Sequence, residues 1–473
     1  MDLDILDMAG WKEETIRVAK RKRTSMGIAA ILQKRITPYQ ILVLGYLFIA
    51  LLGGLLLSLP IATTQAGGQS YLDALFLSMS GVSTTGLSVV DVGSFYSLFG
   101  QIVLLCIFQI GGIGYMTIII LVMYSLGLKG SIRTSIVARD SLVGSDFHTM
   151  KKFFVSVIAY SLLFELAGGI VLALFWMREY PVARALYLGM FHSISAFCTA
   201  GFGLFSDSLM RYGHSAVVNI AVIVLSLAGG IGFFVLKDLQ AYGFNNLRSR
   251  RKHRLAVHTR LVIVTTAILI TFGTLSILLF EDWPSSASRG ESGYLALFQA
   301  ISASTTDGFN TIDIGAMSAA SLTVIMLLMF VGASPGSTGG GIKTTTFALL
   351  FFVLWAKLRR REVNVFGREM SEQCVYNAII VAVFFMLVVF IDTIILSATM
   401  KAPYINIVFE IISALGNTGL SMGLTSSLNA AGKAALIATM FIGRVGFLSI
   451  AFALLTREQK ALYRFPKEDI FIG

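Results

Sequence analysis

The chain has 473 residues, 56% of them hydrophobic and 13% charged, with a formal net charge of +11 and a mean hydropathy of +0.79. Soluble domains run at about 45–50% apolar, so a soluble globular domain is excluded, and with it the rule of one domain per about 150 residues. Cys106, Cys198 and Cys374 lie in or beside apolar stretches without metal-type spacing, and give no ground for a disulfide or a metal site.

Residues 1–38 are charged and helix-compatible, carry the basic cluster Lys20, Arg21, Lys22 and Arg23, and show no cleavable signal. Apolar runs then recur at 40–60, 102–127, 153–176, 216–236, 261–280, 320–332, 345–356, 375–399 and 434–455. A bilayer span needs about 20 apolar residues, so the pattern predicts an all-α integral membrane protein. Of 37 basic residues, 29 fall in one alternating set of segments: the N-terminus, 129–152, 237–260, 357–368 and the tail from Arg457. Six fall in the other set, while Lys343 and Arg444 sit inside apolar segments. The positive-inside rule places the basic set, with both termini, in the cytoplasm of a multi-pass cell membrane protein. These charges match an anionic lipid surface, and their division among short span-flanking segments leaves no nucleic-acid site.

Four segments align without gaps: ALFLSMSGVSTTGLSVV from Ala74, GMFHSISAFCTAGFGLF from Gly189, ALFQAISASTTDGFNTI from Ala296 and IVFEIISALGNTGLSMG from Ile407. Each carries a phenylalanine ten residues before a glycine (Phe76, Phe191, Phe298, Phe409) and a serine six before it (Ser80, Ser195, Ser302, Ser413). The glycines, Gly86, Gly201, Gly308 and Gly419, are 115, 107 and 111 residues apart. Such spacing predicts four repeats: 39–140, 141–257, 258–368 and 369–473, the last ending in a cytoplasmic tail. In each, a span, a half-span and a second span follow one another. Half-spans such as 72–84 and 404–416 are too short to cross a bilayer core of about 30 Å. Non-helical backbone at membrane depth persists only when buried in protein or lining a water-filled path. Four such loops in pseudo-fourfold symmetry would therefore surround one ion pore.

The loops read Thr84-Thr85-Gly86-Leu87, Thr199-Ala200-Gly201-Phe202, Thr306-Asp307-Gly308-Phe309 and Asn417-Thr418-Gly419-Leu420. Hydroxyls and backbone carbonyls with few formal charges suit a monovalent cation, whose hydration shell they replace without holding it too tightly. Glycine admits positive φ, so that consecutive carbonyls can face an axis. Asp307 is the one carboxylate in these signatures, and the reading favours a hydrogen-bonding role behind the filter over a ligand.

From Pro38 to Arg457 the arrangement of span, half-span and span with short filter loops resembles the Trk/Ktr/HKT superfamily of potassium transporters, above all the Ktr-type membrane subunit. That resemblance implies K+ as the transported ion, a homodimer with one pore per protomer, and a cytosolic nucleotide-binding regulatory ring of the RCK/KTN type. It implies no enzyme activity and no bound organic cofactor. Glycine at all four filter positions goes with potassium in the family. Asn417, where the other loops have threonine, departs from strict fourfold identity.

A second repeat lies on the inner spans: GGIG at 111–114, GGIG at 229–232, GGIK at 340–343 and GRVG at 443–446. Small residues there permit close helix packing. The second position of the motif falls 33 residues after Gly308 in the third repeat, against 25 to 29 elsewhere, so the third inner span is predicted to be interrupted at 331–346. Gly332, Ser334, Pro335, Gly336, Ser337, Thr338, Gly339, Gly340, Gly341 and Lys343 would form an intramembrane gating loop, which the resemblance also implies. A nucleotide-binding loop is rejected, because Ile342 precedes the lysine and no strand precedes the glycines. Arg444, in the fourth copy of the motif, is expected to face that loop, the alternative being an ion pair with Asp392 or Glu410. Lys343 can instead snorkel to the interface. Glu165 and His192 read as packed single residues. Basic loops at 248–254 and 357–361 are candidate docking surfaces, with a solvated, lipid-facing role as the default. A sodium-coupled or sodium-permeable transporter is the alternative within transport. A polytopic membrane enzyme would need clustered histidines or carboxylates, and a scaffold would have no use for four half-spans.

Overall fold

The computed structural model describes residues 37–65, 67–114, 147–248, 254–283 and 288–454. The Lys20–Arg23 cluster, most of the basic loop at 248–254 and the tail from Arg457 lie outside the described residues. The rest is mostly helical and of membrane type. Helices long and apolar enough to cross a bilayer are Tyr39–Leu57, Phe153–Trp176, Val257–Phe280 and Glu372–Thr399. Among the described residues the number rises from four to six when each of two bent pairs counts as one span, Ala216–Gly230 with Phe233–Gly243 at 99° and Ala430–Val445 with Phe447–Leu454 at 94°.

In chain order the first of the four expected repeats holds α1 (Pro38–Leu57), α2 (Tyr71–Val82) and α3 (Leu98–Ile113). The second holds α4 (Phe147–Trp176), α5 (Val182–Phe197), α6 (Ala216–Gly230) and α7 (Phe233–Arg248). The third has α8 (Val257–Phe280), α9 (Arg289–Thr305), α10 (Ala319–Phe330) and α11 (Thr344–Leu358), followed by a hairpin of β1 (Asn364–Val365) and β2 (Arg368–Glu369). The fourth has α12 (Glu372–Thr399), α13 (Tyr404–Gly416), α14 (Ala430–Val445) and α15 (Phe447–Leu454). Caps fix several starts. The side chain of Ser70 accepts from the Asp73 N–H ahead of α2, and Ser288 with Glu291 forms a capping box ahead of α9.

The long helices α1, α4, α8 and α12 expose rows of apolar residues, such as Leu44, Phe48, Leu55, Leu163, Ile170, Leu279 and Phe390. Such faces suit a lipid environment. The short helices α2, α5, α9 and α13 are enclosed, and Phe76, Phe191, Phe298 and Phe409 are all buried to 1% exposure or less. Each short helix packs on the long helix before it. Each also receives the inner span of the preceding repeat: α3 on α5, α6 on α9, α10 on α13, and α14 back on α2.

Two expectations are corrected here. The interruption of the third inner span ends at Lys343, because Thr344, Thr345 and Thr346 already belong to α11. Nor is the third span alone in being broken, since the second and fourth bend sharply at Gly232 (φ 97°) and Gly446 (φ 79°). The small-residue motif explains why. A Cβ on Gly111, Gly229 or Gly443 would lie 2.2, 1.9 or 2.1 Å from the carbonyl oxygens of Val82, Phe197 and Leu415, at the ends of the short helices. Those glycines bring the inner span onto the end of the short helix, and the span then turns away. The third repeat differs in the length of its break.

Candidate functional site

The short helices end alike. Thr84, Thr199, Thr306 and Asn417 take left-handed φ values of 54°, 49°, 58° and 54°. The next N–H, of Thr85, Ala200, Asp307 or Thr418, donates back to the carbonyl of Ser80, Ser195, Ser302 or Ser413 at 2.7, 2.8, 2.9 and 2.9 Å. This six-to-one bond with a left-handed residue is a Schellman ending, normally built on glycine. Threonine in that conformation costs roughly 1–2 kcal/mol, so its side chain is kept there against a local preference. Glycine, which admits positive φ, is the residue expected to make the turn. The helix actually ends before it, at Val82, Phe197, Thr305 or Gly416. The recurring serine was the available signal: its carbonyl closes each turn, and in two repeats its hydroxyl also binds the backbone that follows, Ser302 donating to the Phe309 carbonyl at 2.6 Å and Ser413 accepting from Gly419 N–H at 3.0 Å.

The glycines then meet in succession. A Cβ built on Gly86 would lie 2.5 Å from the Ala200 carbonyl oxygen, and one on Gly201 would lie 2.7 Å from that of Asp307. One on Gly308 would lie 2.1 Å from the Thr418 oxygen, and one on Gly419 would lie 2.1 Å from that of Thr85. The contacts run from repeat one to two, three, four and back to one. All four glycines also line a single cavity of about 250 Å³, together with Ser88, Asp91, Ser206, Ser208, Asn310, Ser421 and Thr425. Leu87, Phe309 and Leu420 turn their side chains into the core, and Phe202 stacks on Phe108 at 5.9 Å.

On the opposite side of the turns lies segment 331–343. Its backbone groups are satisfied largely by the broken second span. Ser334 N–H donates to the Gly230 carbonyl (3.1 Å), Thr338 N–H to that of Gly229 (3.1 Å), and Phe233 N–H to that of Gly336 (2.9 Å). Two interruptions thus supply each other's missing partners. Thr338 is the hub. Its carbonyl accepts from the Thr84 hydroxyl (3.1 Å) and from Arg444. Its hydroxyl donates to the Phe197 carbonyl (3.1 Å) and lies 3.1 Å from the Thr199 hydroxyl. Gly340 N–H donates to the Thr306 hydroxyl at 3.3 Å, and a Cβ on Gly340 would lie 2.2 Å from Asn417 Oδ1. All four left-handed residues therefore face 338–340.

Arg444 reaches the loop, as its place in the repeat predicts, and its second terminal nitrogen donates to the Gly111 carbonyl. Its alternative partners are engaged elsewhere, Asp392 with Thr439 and Glu410 with Ser421 and Thr425. Lys343 folds back onto the carbonyls of Gly339 (2.8 Å) and Gly340 (3.3 Å) instead of reaching outward. Ser334 pairs with the Thr344 hydroxyl at 2.9 Å, and Pro335, Gly336 and Ser337 form the outer bend near Gly232 and Phe234. Gly332 and Gly341 close the base of the loop against each other, with a Cβ on Gly341 only 2.9 Å from the Gly332 Cα. Asn417 ties repeats four and one, its Nδ2 donating to Thr85 Oγ1 and to the Met440 carbonyl, both at 2.9 Å. His192 is structural: Nδ1 meets the Leu188 carbonyl at 2.8 Å, and Nε2 accepts from Leu204 N–H at 3.2 Å. Glu165 accepts from Gln109 Nε2, whose Oε1 lies 3.2 Å from Cys198 Sγ. That network, behind the second turn, has no signal in the sequence. Among the described residues no group of His, Cys, Asp and Glu could hold a metal ion.

These features define a helical membrane protein in which four helix ends converge on the long break of the third inner span. Residues 50–463 match the family model described as cation transport protein, TrkH, and the chain belongs to that family. The chain is 35% identical to Ktr system potassium uptake protein B of Bacillus subtilis over 93% of its own length and 97% of that protein. It is 30% identical to potassium/sodium uptake protein NtpJ of Enterococcus hirae, over 93% and 98%. Among solved structures, the potassium transporter TrkH of Vibrio parahaemolyticus superposes with a TM-score of 0.66 at 22% identity, covering 90% of this chain and 85% of that one. The family is one of transporters, not of enzymes.

Proposed function

We propose that the chain is the membrane subunit of a potassium uptake system and conducts K+ through a pseudo-fourfold filter. The filter residues are Thr84–Leu87, Thr199–Phe202, Thr306–Phe309 and Asn417–Leu420. The observation that carries the reading is the closed succession of contacts, each filter glycine abutting the carbonyl that precedes the next one. Glycine is needed there because any side chain would strike a neighbouring carbonyl, and carbonyl oxygens are what a dehydrated monovalent cation requires. The polar cavity lined by the glycines is the outer vestibule. Segment 331–343 is the gate, held under the filter by Thr338 and Arg444.

The basic set of connections faces the cytoplasm, with both termini, by the positive-inside rule. Two copies of the chain form the unit, and a cytosolic nucleotide-binding ring of the RCK/KTN type controls the gate. Support for a partner is the "system" in the relatives' printed names. The exposed Arg359, Arg360 and Arg361 after α11 supply a docking face. Permeation or coupling by sodium is the second reading, favoured by the potassium/sodium name of one relative and by the asymmetry at Asn417.

The test is K+ and Na+ flux into proteoliposomes holding the chain, wild type beside Gly86→Ser. Potassium flux that loses its preference over sodium in the variant is expected. No cation flux in the wild type, even with candidate cytosolic partners added, would sink the reading.

A further inference from the structure

One residue before the filter glycine the four repeats carry Thr85, Ala200, Asp307 and Thr418. Asp307 is 1% exposed, and both of its carboxylate oxygens are buried without a hydrogen-bond partner. The neighbouring Ser226 hydroxyl donates instead to the Val222 carbonyl at 2.7 Å. The two intramembrane cations are occupied with carbonyls of the gate and of α3, Lys343 at Gly339 and Gly340 and Arg444 at Thr338 and Gly111. Neither forms an ion pair with Asp307. The main chain of Asp307 belongs to the ring, since its N–H donates to the Ser302 carbonyl at 2.9 Å and its own oxygen abuts Gly201. Its side chain does not line the vestibule, as the adjoining Gly308 does.

A buried carboxylate without a counter-charge is strongly disfavoured and takes up a proton unless a cation comes close enough to stabilise its charge. Among the described residues no other cation is paired with Asp307, which leaves the ion in transit as the counter-charge the site can take up. We infer that Asp307 is a specificity-determining residue, its carboxylate acting from behind the third loop as the counter-charge of a cation in the filter. This rests on the filter reading above. An added negative charge strengthens the field at the site, which raises cation affinity. It favours a smaller ion more than a larger one, because the smaller ion approaches the oxygens more closely. Asp307 thereby raises affinity and at the same time loosens the rejection of sodium.

Two variants test it in the purified full-length protein: Asp307→Asn, which keeps the shape, and Asp307→Ala, which copies the second repeat at Ala200. Thermal stabilisation by KCl and by NaCl is measured alongside K+ and Na+ flux in proteoliposomes. The half-maximal K+ concentration should rise about tenfold in both variants. The Na+ value should rise further, so that the preference for K+ sharpens. Wild-type flux and stabilisation with unchanged cation curves in both variants would overturn this inference alone. Absence of any K+ effect in the wild type would overturn the filter reading and this inference with it.

Discussion

The four helix-end turns and segment 331–343 are both rich in glycine and hydroxyl residues at membrane depth, yet they are held to different degrees. The turns are locked by backbone. Schellman bonds of 2.7 to 2.9 Å close each one, and carbonyls press on glycines where a side chain has no room. The loop shares a few backbone bonds with the broken second span and is clasped from the turns and from Arg444 by side-chain bonds at Thr338, while its outer bend at Gly336 is exposed. A backbone lock allows one geometry, as a selective site requires. A side-chain clasp can be released without disturbing the turns, as a gate requires.

The largest expected effect comes from breaking the lock. In Gly419→Ala the new Cβ meets the Thr85 oxygen at 2.1 Å on a backbone with φ 88°, and no flexible side chain is there to yield. Steric and conformational strain of about 3 kcal/mol or more should lower K+ flux in proteoliposomes by about a hundredfold. Wild-type flux with unchanged selectivity would show that the glycines do not line the path.

Loosening the clasp should act in the opposite direction. Charge-assisted hydrogen bonds contribute about 1.5–3 kcal/mol each, so Arg444→Gln should raise basal K+ flux, measured without cytosolic partners, by about tenfold or more. Thr338→Val removes the hydroxyl but leaves the carbonyl, so its increase should be smaller. A fall in flux for both variants would contradict a blocking loop.

The smallest effect is expected at the seam between repeats four and one, outside both regions. Lys433 pairs with Asp73 in the first turn of α2, where both side chains keep 17–25% exposure. Such pairs contribute at most about 1 kcal/mol. Lys433→Met should therefore lower the melting temperature by only a few degrees and leave K+/Na+ selectivity unchanged. A change in selectivity would mean that this seam tunes the turns.

Much of this was legible in order of chain position. The spacing of Phe76, Ser80 and Gly86 and their three counterparts located the short helices, because a repeated helix end needs the same residues at the same offsets. The surplus of residues after Gly308 located the long break. Less visible was that Thr84, Thr199, Thr306 and Asn417 make the left-handed turn, since threonine has no preference for it. The bends at Gly232 and Gly446 were also hidden, because GGIG reads equally well as continuous close packing.

Apolar runs and recurring residues set the class, the short helices and the place of the interruption, all of them readable from the order of residues in the chain. Which carbonyl each glycine touches, and which two carbonyls Arg444 grips, depended on how the repeats close on one another. Arg444 and Gly111 are 333 residues apart, and α14 packs on α2 from the other end of the chain. Hydrogen bonds act over about 3 Å, so contacts of that kind exist only once packing has brought the partners together.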